Sequence, residues 1–266
     1  MKKMLNDFKG AALPIQERDY IWVAGYLGCE IAALKAIITV ESNGKAFMWD
    51  GRPTILNEPH WFYRLLKGSK KTTAIRQGLA YKNWKTKPYP RTQKLRYDWL
   101  MAAAEIDTDA ALQSCSWGLG QVMGFNYKVC GFASPTDFAK AMMHSEGAQV
   151  LAIARFIVGN NLQRHVRNKD WASFARGYNG PSFAKNNYHT KMANAYKRRP
   201  VSEKTIPPVP TDAMLDQLLG KNKFVPANKP VTKPVQLELN LDDNKSKPKQ
   251  PSIIDTIINL LKGLFK

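Results

Sequence analysis

Apolar residues recur at helical spacing through most of the first 200 residues. Successive apolar residues three or four positions apart lie on one face of a helix. This pattern predicts helices over residues 14–28, 30–41, 59–66, 93–106, 135–144 and 147–158, a short helix after Asp170, and a basic helix over 183–199. The pair Asp50-Gly51, between two short apolar runs, predicts a β-hairpin, which we expect to be the only sheet. Residues 68–92 are basic and rich in turn formers, and we expect a surface loop.

The segment 30–44 combines an apolar helix with a carboxylate at its end. Glu41 lies four residues after Ile37 and seven after Leu34, which places it on the apolar face. A carboxyl group that loses water contacts holds its proton more tightly, and a general acid needs that property at neutral pH. The alternative is an ordinary surface carboxylate near a helix end.

Two further segments carry polar groups in unusual settings. Residues 114–127 contain closely spaced glycines together with Gln121, Asn126 and Tyr127, which suits either close approach of a ligand or a tightly packed helix crossing. Residues 176–181 form a polar turn around Tyr178, expected to line a site. Glu58 precedes a proline at the start of a predicted helix, so a capping role and a catalytic role are both open.

The amino-acid composition of the chain changes after residue 199. Prolines and lysines dominate residues 200–251, which predicts a largely unstructured linker with a possible short helix at 212–219 and a weak strand-like pattern at 235–241. Residues 252–266 form an amphipathic pattern with lysines beside the apolar stripe. We therefore expect three parts: a globular domain at 1–199, a linker at 200–251 and a helix at 252–266. That helix binds anionic membrane in one interpretation, and docks on protein in the other.

Charge and cysteine content limit the environment of the protein. There are 40 Lys and Arg residues against 21 Asp and Glu, a net charge of +19, which favours polyanionic partners. Three cysteines without metal-ligand spacing predict reduced thiols and no metal site. The first residues lack the apolar core of a secretory signal, and no apolar run reaches transmembrane length. We expect synthesis in a reducing compartment such as the cytoplasm, and a separate route of release if the substrate lies outside it.

Several separated motifs together resemble one family. They are Val40 to Gly44 (Val-Glu-Ser-Asn-Gly), Asp50 to Pro53, Glu58 to Arg64, Trp117 to Tyr127, and Tyr178 to Pro181 (Tyr-Asn-Gly-Pro). In order and chemistry they resemble the N-acetylmuramidase family of phage endolysins, within the lysozyme superfamily that includes goose-type lysozymes and lytic transglycosylases. The resemblance covers about residues 14–199.

The resemblance implies a mainly α, lysozyme-like domain with a small β-hairpin beside the cleft. It implies cleavage of the β-1,4 bond between N-acetylmuramic acid and N-acetylglucosamine, with Glu41 as general acid and either Asp50 or Glu58 as a second carboxylate. The residues that match substrate-binding positions are Ser42, Ser116, Gln121, Met123, Asn126, Tyr127, Tyr178 and Asn179. It implies peptidoglycan as partner, no cofactor, no nucleic acid and a monomer that acts at the cell wall after release.

Two other functions compete with this interpretation. A lytic transglycosylase would use the same acid but form a 1,6-anhydro sugar. A non-enzymatic, cationic membrane-permeabilising protein would account for the charge and the C-terminal segment, but not for the separated motifs. The peptidoglycan-binding module common among endolysins is not recognisable in this sequence.

Overall fold

The computed structural model describes residues 7–41, 45–84, 86–180 and 183–220. Most of these residues are helical. The α-helices of this part of the chain, numbered α1 to α12 in order, are Glu17–Leu27, Ile31–Glu41, Pro59–Leu65, Gly68–Arg76, Gln93–Ile106, Thr108–Gln113, Pro135–His144, Glu146–Gly159, Gln163–Arg167, Trp171–Asn179, Tyr188–Lys197 and Asp212–Leu219. Short 3-10 helices span Gly124–Asn126, Phe183–Asn186 and Val201–Glu203.

Helices α2 and α8 form the centre of the packed core. Every residue of α2 except Thr39 is buried, and α8 is buried along nearly its whole length. Most of their residues are small or aliphatic, so helices can pack against them on several sides. Helix α1 packs on both, and α11 packs on α2. Ser145 caps α8, since its hydroxyl accepts a hydrogen bond from the Ala148 amide at 2.9 Å. These two helices form the rigid support for the site.

A small antiparallel sheet lies beside the helices. Its strands, in spatial order, are β1 (Ile55–Asn57), β2 (Cys115–Trp117) and β3 (Val122–Met123). Leu56 pairs with Ser116, and Ser116 pairs with Met123. The predicted Asp50 hairpin is present, with Phe47 bridged to Pro53 just before β1. The expectation that it forms the only sheet was wrong, because three-residue strands buried on both sides are too short to give an alternating pattern.

Two predicted segments differ from the structure in their helix content. Residues 68–76 form α4 instead of a loop; the segment buries Ala74 although its glycine and threonines are poor helix formers. The predicted helix over 183–199 is divided into the 3-10 helix Phe183–Asn186 and α11. Between them Asn187 has a left-handed backbone, with a φ of 54°, which ends the first helical turn.

The packed domain continues past the predicted boundary at residue 199. Helix α12 buries Leu215, Leu218 and Leu219 and packs against α1 and α8. The Ser145 hydroxyl donates to the Leu218 carbonyl at 3.0 Å. Composition did not predict this docking. The surrounding prolines are typical of a linker, and a short amphipathic helix contributes only a few apolar residues. The segments 235–241 and 252–266 lie outside the described residues.

No single helix in the described ranges is long and apolar enough to cross a membrane. Helices α1 and α2 reach the necessary length and apolar composition only when taken together, and that pair is bent by 106°.

Candidate active site

Glu41 is the last residue of α2 and is only 3% exposed. Its carboxyl group receives hydrogen bonds from the Asn179 side-chain amide, with Nδ2 at 3.2 Å from Oε1 and 3.3 Å from Oε2. Asn179 ends α10, so two helix ends meet at this carboxyl group. The structure therefore brings together two predicted site residues that are 138 positions apart in sequence.

Burial raises the pKa of Glu41 to about 8, against the opposing effect of the Asn179 hydrogen bond. The position at a helix C-terminus acts in the same direction as burial, because the negative end of the helix dipole disfavours a carboxylate. A carboxyl group with this pKa keeps its proton at neutral pH. It can therefore donate that proton to a reacting oxygen.

Tyr178 precedes Asn179 in the chain and is close enough to Glu41 to be affected by its charge. Its ring stacks on Phe174 with centroids 5.3 Å apart. Burial, and then the negative charge of Glu41, raise the pKa of Tyr178 well above its usual range. Among the described residues, the buried Tyr178 Oη and the buried Asn179 Oδ1 have no hydrogen-bond partner. Buried polar atoms are nearly always paired, so these two atoms have unused hydrogen-bonding capacity.

Gln121 occupies the turn between β2 and β3. Its amide oxygen accepts from the Ser116 hydroxyl at 2.9 Å, and its amide nitrogen donates to the Gly118 carbonyl at 2.7 Å and to the Thr54 carbonyl at 3.3 Å. Its φ of 46° is unusual for a residue with a side chain. The side-chain hydrogen bonds fix this strained turn and join it to the Asp50 hairpin.

Helix α8 supports the turn from behind. The Gln149 side chain accepts from the Leu119 amide at 2.6 Å and donates to the Met142 carbonyl at 2.9 Å. A Cβ on Gly118 would lie 2.4 Å from this side chain, so glycine is required there. The sequence contained a signal for this close approach, namely the clustered glycines, but none that pointed to Gln149.

The remaining predicted substrate residues lie along β3 and the turn that follows it. Met123 is buried in β3, and Asn126 is buried in the 3-10 helix after it. Tyr127 is half-buried, with the Lys128 ammonium 5.7 Å from its ring centroid. Ser42 lies outside the described residues.

Asp50 is held by its neighbour in the hairpin. The Arg52 guanidinium contacts Asp50 Oδ2 at 2.7 and 2.8 Å, and the Arg52 amide donates to Oδ1 at 3.1 Å. Burial acts to raise the pKa of Asp50, but the hydrogen bonds and charge of Arg52 outweigh burial, and the pKa lies below its usual value. Asp50 is therefore ionised at neutral pH.

Glu58 connects three parts of the chain. Its Oε2 accepts from the Tyr89 hydroxyl at 2.8 Å and lies 3.2 Å from His60 Nδ1. The Trp84 indole nitrogen in turn donates to the Tyr89 hydroxyl at 2.8 Å. Although Glu58 is the N-cap residue of α3, its side chain makes no capping hydrogen bond. Glu58 thus occupies the expected position at the start of the helix, but its carboxylate contacts Tyr89 and His60 instead of capping the helix.

Neither Asp50 nor Glu58 is among the groups that act on the pKa of Glu41. A carboxylate in close contact would raise that pKa further by repulsion. In the described part of the chain, no cluster of three His, Cys, Asp or Glu side chains could hold a metal ion. At Glu41 the described residues thus provide a protonated carboxyl group that accepts hydrogen bonds from Asn179.

Comparison with known proteins identifies the family. The model of the N-acetylmuramidase family matches residues 30–199. The chain belongs to the N-acetylmuramidase family. The matched range contains Glu41, Asn179 and the whole sheet.

A solved structure supports the same assignment. The chain is similar to the crystal structure of the Burkholderia AP3 phage endolysin, with a TM-score of 0.65 and 33% sequence identity over 74% of this chain and 76% of that chain. No match was found among curated proteins. The predicted family and the predicted lysozyme-like, mainly α fold are both confirmed. The family places this N-acetylmuramidase among the glycosidases that cleave peptidoglycan.

Proposed function

We propose that this protein is an endolysin-type hydrolase that cleaves the β-1,4 bond between N-acetylmuramic acid and N-acetylglucosamine, with Glu41 as the general acid. The observation that supports this most strongly is the buried Glu41 carboxyl group, whose pKa is raised to about 8 at the end of an apolar helix. Protonation of the glycosidic oxygen by a positioned acid lowers the barrier as positive charge develops on the sugar ring. Family membership supplies the substrate class.

The residues around Glu41 suit this chemistry. Tyr178 Oη and Asn179 Oδ1 provide a donor and an acceptor close to the acid, which are the groups needed to orient a sugar hydroxyl or acetamido group. The Gln121 turn is rigid, and rigid polar groups position a substrate better than mobile ones. We propose that Ser116, Gln121, Tyr178 and Asn179 line the sugar subsites, together with Ser42, Met123, Asn126 and Tyr127.

We propose Asp50, in preference to Glu58, as the carboxylate that assists water or the oxocarbenium-like state. Arg52 keeps Asp50 ionised, as either role requires, whereas Glu58 has a structural function in anchoring Tyr89. Asp50→Asn should lower kcat by roughly 100-fold or more, and Glu58→Gln by only a few-fold. The reverse ranking would transfer the role to Glu58, and full activity of both variants would leave the mechanism with the acid alone.

The central experiment compares wild type with Glu41→Gln on purified peptidoglycan, followed by mass spectrometry of the released fragments. The expected result is hydrated reducing ends from wild type and no release by the variant. Clearing of cell-wall suspensions by Glu41→Gln at the wild-type rate would exclude the enzymatic proposal. Release of 1,6-anhydro ends by wild type would assign the protein to the transglycosylases.

We also propose, from sequence alone, that residues 252–266 bind anionic membrane. Apolar residues form one stripe along a helix over this segment, with Lys262 and Lys266 beside it. Removal of 252–266 should weaken binding to anionic vesicles and leave hydrolysis of isolated peptidoglycan unchanged. The double change Ile257→Asp/Ile258→Asp keeps the length, places charge on the stripe, and should reproduce the loss. Unchanged vesicle binding in both variants would refute this proposal.

A further inference from the structure

Residues 59–97 carry a large part of the positive charge of the protein. This segment contains eleven Lys and Arg residues and no Asp or Glu, so it supplies more than half of the net charge of +19. In the structure it comprises α3, α4, the connection between α4 and α5, and the first residues of α5. Like charges that are held close together repel one another, so this composition favours a bound partner of opposite charge.

The segment forms one connected part of the surface. Helix α4 packs on α3 and on α5. The connection after α4 returns to both of the preceding helices. The Lys87 ammonium lies 3.2 Å from where a Cβ on Gly78 would be, just after the end of α4, and the Tyr89 hydroxyl donates to Glu58 at the start of α3. Charges from separate elements are therefore brought together.

Most of this charge is not neutralised by the protein itself. We use the name cationic face for five exposed residues of the segment, Lys67, Arg76, Lys82, Lys87 and Arg91. Among the described residues, none of the five forms an ion pair with a carboxylate. The positive charge of the cationic face is therefore available to a partner.

The cavity next to the cationic face does not concentrate this charge. It lies between α4 and α5, has a volume of about 410 Å³, and is lined by one cation, Lys70, and one carboxylate, Glu105, among neutral residues. Lys70 is also paired with Asp107 at 2.8 Å. A small anion would therefore gain little from this cavity, whereas an extended anionic surface could contact several of the exposed cations at once.

Two exposed apolar side chains favour a lipid surface over a nucleic acid. Ile75 and Leu95 are 48% and 50% exposed, and each adjoins a Lys or Arg in sequence. Apolar side chains beside cations are typical of proteins that lie on an anionic bilayer. The Trp and Tyr rings described in this segment are half-buried or buried, and Trp61 packs on Phe125 with ring centroids 4.5 Å apart. These rings are thus less accessible than the exposed aromatic rings on which nucleic-acid bases stack.

We propose that the cationic face binds the phosphate groups of an anionic phospholipid bilayer and holds the packed domain at the membrane surface, independently of the hydrolase function and of residues 252–266. Each basic residue close to an anionic bilayer strengthens binding by about fivefold, so two such contacts give roughly 25-fold. Salt screens these contacts, with a Debye length of about 10 Å at 0.1 M and about 3 Å at 1 M. Binding should therefore weaken steeply between these two salt concentrations.

The test measures binding of the full-length protein to vesicles of phosphatidylglycerol and phosphatidylcholine in equal amounts. A variant with all five residues of the cationic face changed to Gln should bind these vesicles at least roughly 25-fold more weakly than wild type. The control changes five exposed cations of another basic region to Gln and has the same net charge; they are Arg164, Lys185, Lys191, Lys197 and Arg198. It should lose less than about threefold in binding, because it retains every contact of the cationic face. Thermal unfolding checks that both variants are folded.

A second variant, Ile75→Gln/Leu95→Gln, keeps every charge and tests the assignment to lipid. It should bind the anionic vesicles at least roughly threefold more weakly, because less apolar surface enters the bilayer, and should bind a DNA duplex as wild type does. Unchanged vesicle binding by this variant would overturn the assignment to lipid.

Two outcomes would refute the cationic face itself. One is wild-type vesicle binding by the five-residue variant, and the other is an equal loss in the control variant, which would indicate attraction by net charge alone. Hydrolysis is not measured in these experiments, so their outcome is separate from that of Glu41→Gln.

Discussion

Replacement of Glu41 by glutamine should stabilise the protein and inactivate it. Burial raises the pKa of this carboxyl group from 4.5 to about 8, so the folded protein holds a proton that the unfolded chain has lost at neutral pH. Between these two values the folded state binds more protons, and the free energy of unfolding of wild type therefore falls as pH rises. Below pH 4.5 and above pH 8 the ionisation of this group no longer changes the free energy of unfolding.

The size of the effect follows from the pKa difference. Each unit is worth about 1.36 kcal/mol, so at pH 7 the carboxyl group costs wild type about 3 kcal/mol relative to a neutral side chain of the same shape. At pH 5 the cost is less than about 1 kcal/mol. Glutamine is neutral at both values and its oxygen can accept from Asn179. Glu41→Gln should thus melt roughly 6–12 °C above wild type at pH 7, with a much smaller difference at pH 5.

The assay is thermal and urea denaturation of both proteins at pH 5, 7 and 8, together with hydrolysis rates. Activity of Glu41→Gln should fall by about 10²- to 10⁴-fold, the usual contribution of a general acid, and kcat/KM of wild type should decline above a pKa of about 8. A stability difference that is the same at pH 5 and pH 8 would refute the argument from burial. A large pH dependence with full activity would retain that argument and refute the role in catalysis.

Glu30→Gln is a matched control, for which we expect the opposite change in the free energy of unfolding. Burial acts to raise the pKa of Glu30, but hydrogen bonds from Lys169 and Tyr196, both at 2.6 Å, outweigh burial and lower the pKa. Its contribution to stability is present at neutral pH and is lost as pH falls through the lowered pKa. This variant should therefore lose stability at pH 7 and keep its activity. A gain in stability by Glu30→Gln would show that removal of any carboxylate stabilises the fold.

Two further predictions concern Asn179 and the turn at Gly118. Asn179→Ala removes the hydrogen bond that lowers the pKa of Glu41, so the alkaline limit of kcat/KM should move above about 8; an unchanged limit in a pH profile would contradict this. Gly118→Ala places a Cβ 2.4 Å from the Gln149 side chain at a φ of 63°, and should cost roughly 2–4 kcal/mol in urea denaturation. Gly68→Ala, at a φ of 52° in open space, should cost only about 1 kcal/mol, and equal losses would show that backbone strain alone decides.

The helix that ends on Glu41 could be predicted from the sequence because its apolar spacing is local. The same spacing places Glu41 on the apolar face, but it left a solvent-exposed carboxylate at the helix end open. The contact with Asn179 has no such local cause, since helical periodicity says nothing about which distant helix end will meet Glu41. Only the order of the motifs, through the family resemblance, connected Glu41 with Tyr178 and Asn179.

The parts that sequence reasoning missed depend on contacts between segments. Strand β2 is buried on both sides and only three residues long, so its identity follows from pairing with β1 and not from its own pattern. The sequence predicts a possible short helix where α12 lies, but it does not predict the docking of that helix on α1 and α8. Gln149 supports the Gly118 turn, although the sequence pattern of its helix, α8, indicates only a buried helix of the core. In each case tertiary packing overrides weak local preference.

The opposite pKa shifts of two carboxyl groups give the strongest argument for their different roles. Burial of Glu41 favours its neutral form and outweighs the hydrogen bond that the Asn179 amide donates to it. Asp50 lies only nine residues later in sequence, but Arg52 provides a full positive charge at 2.7 Å, so the ionised form is favoured. Glycosidases that use two carboxyl groups need one protonated and one ionised at the same pH. Asn179→Arg should lower the pKa of Glu41, and Arg52→Leu should raise the pKa of Asp50. A variant with both changes should therefore lose hydrolysis near neutral pH, although both carboxyl groups remain in place.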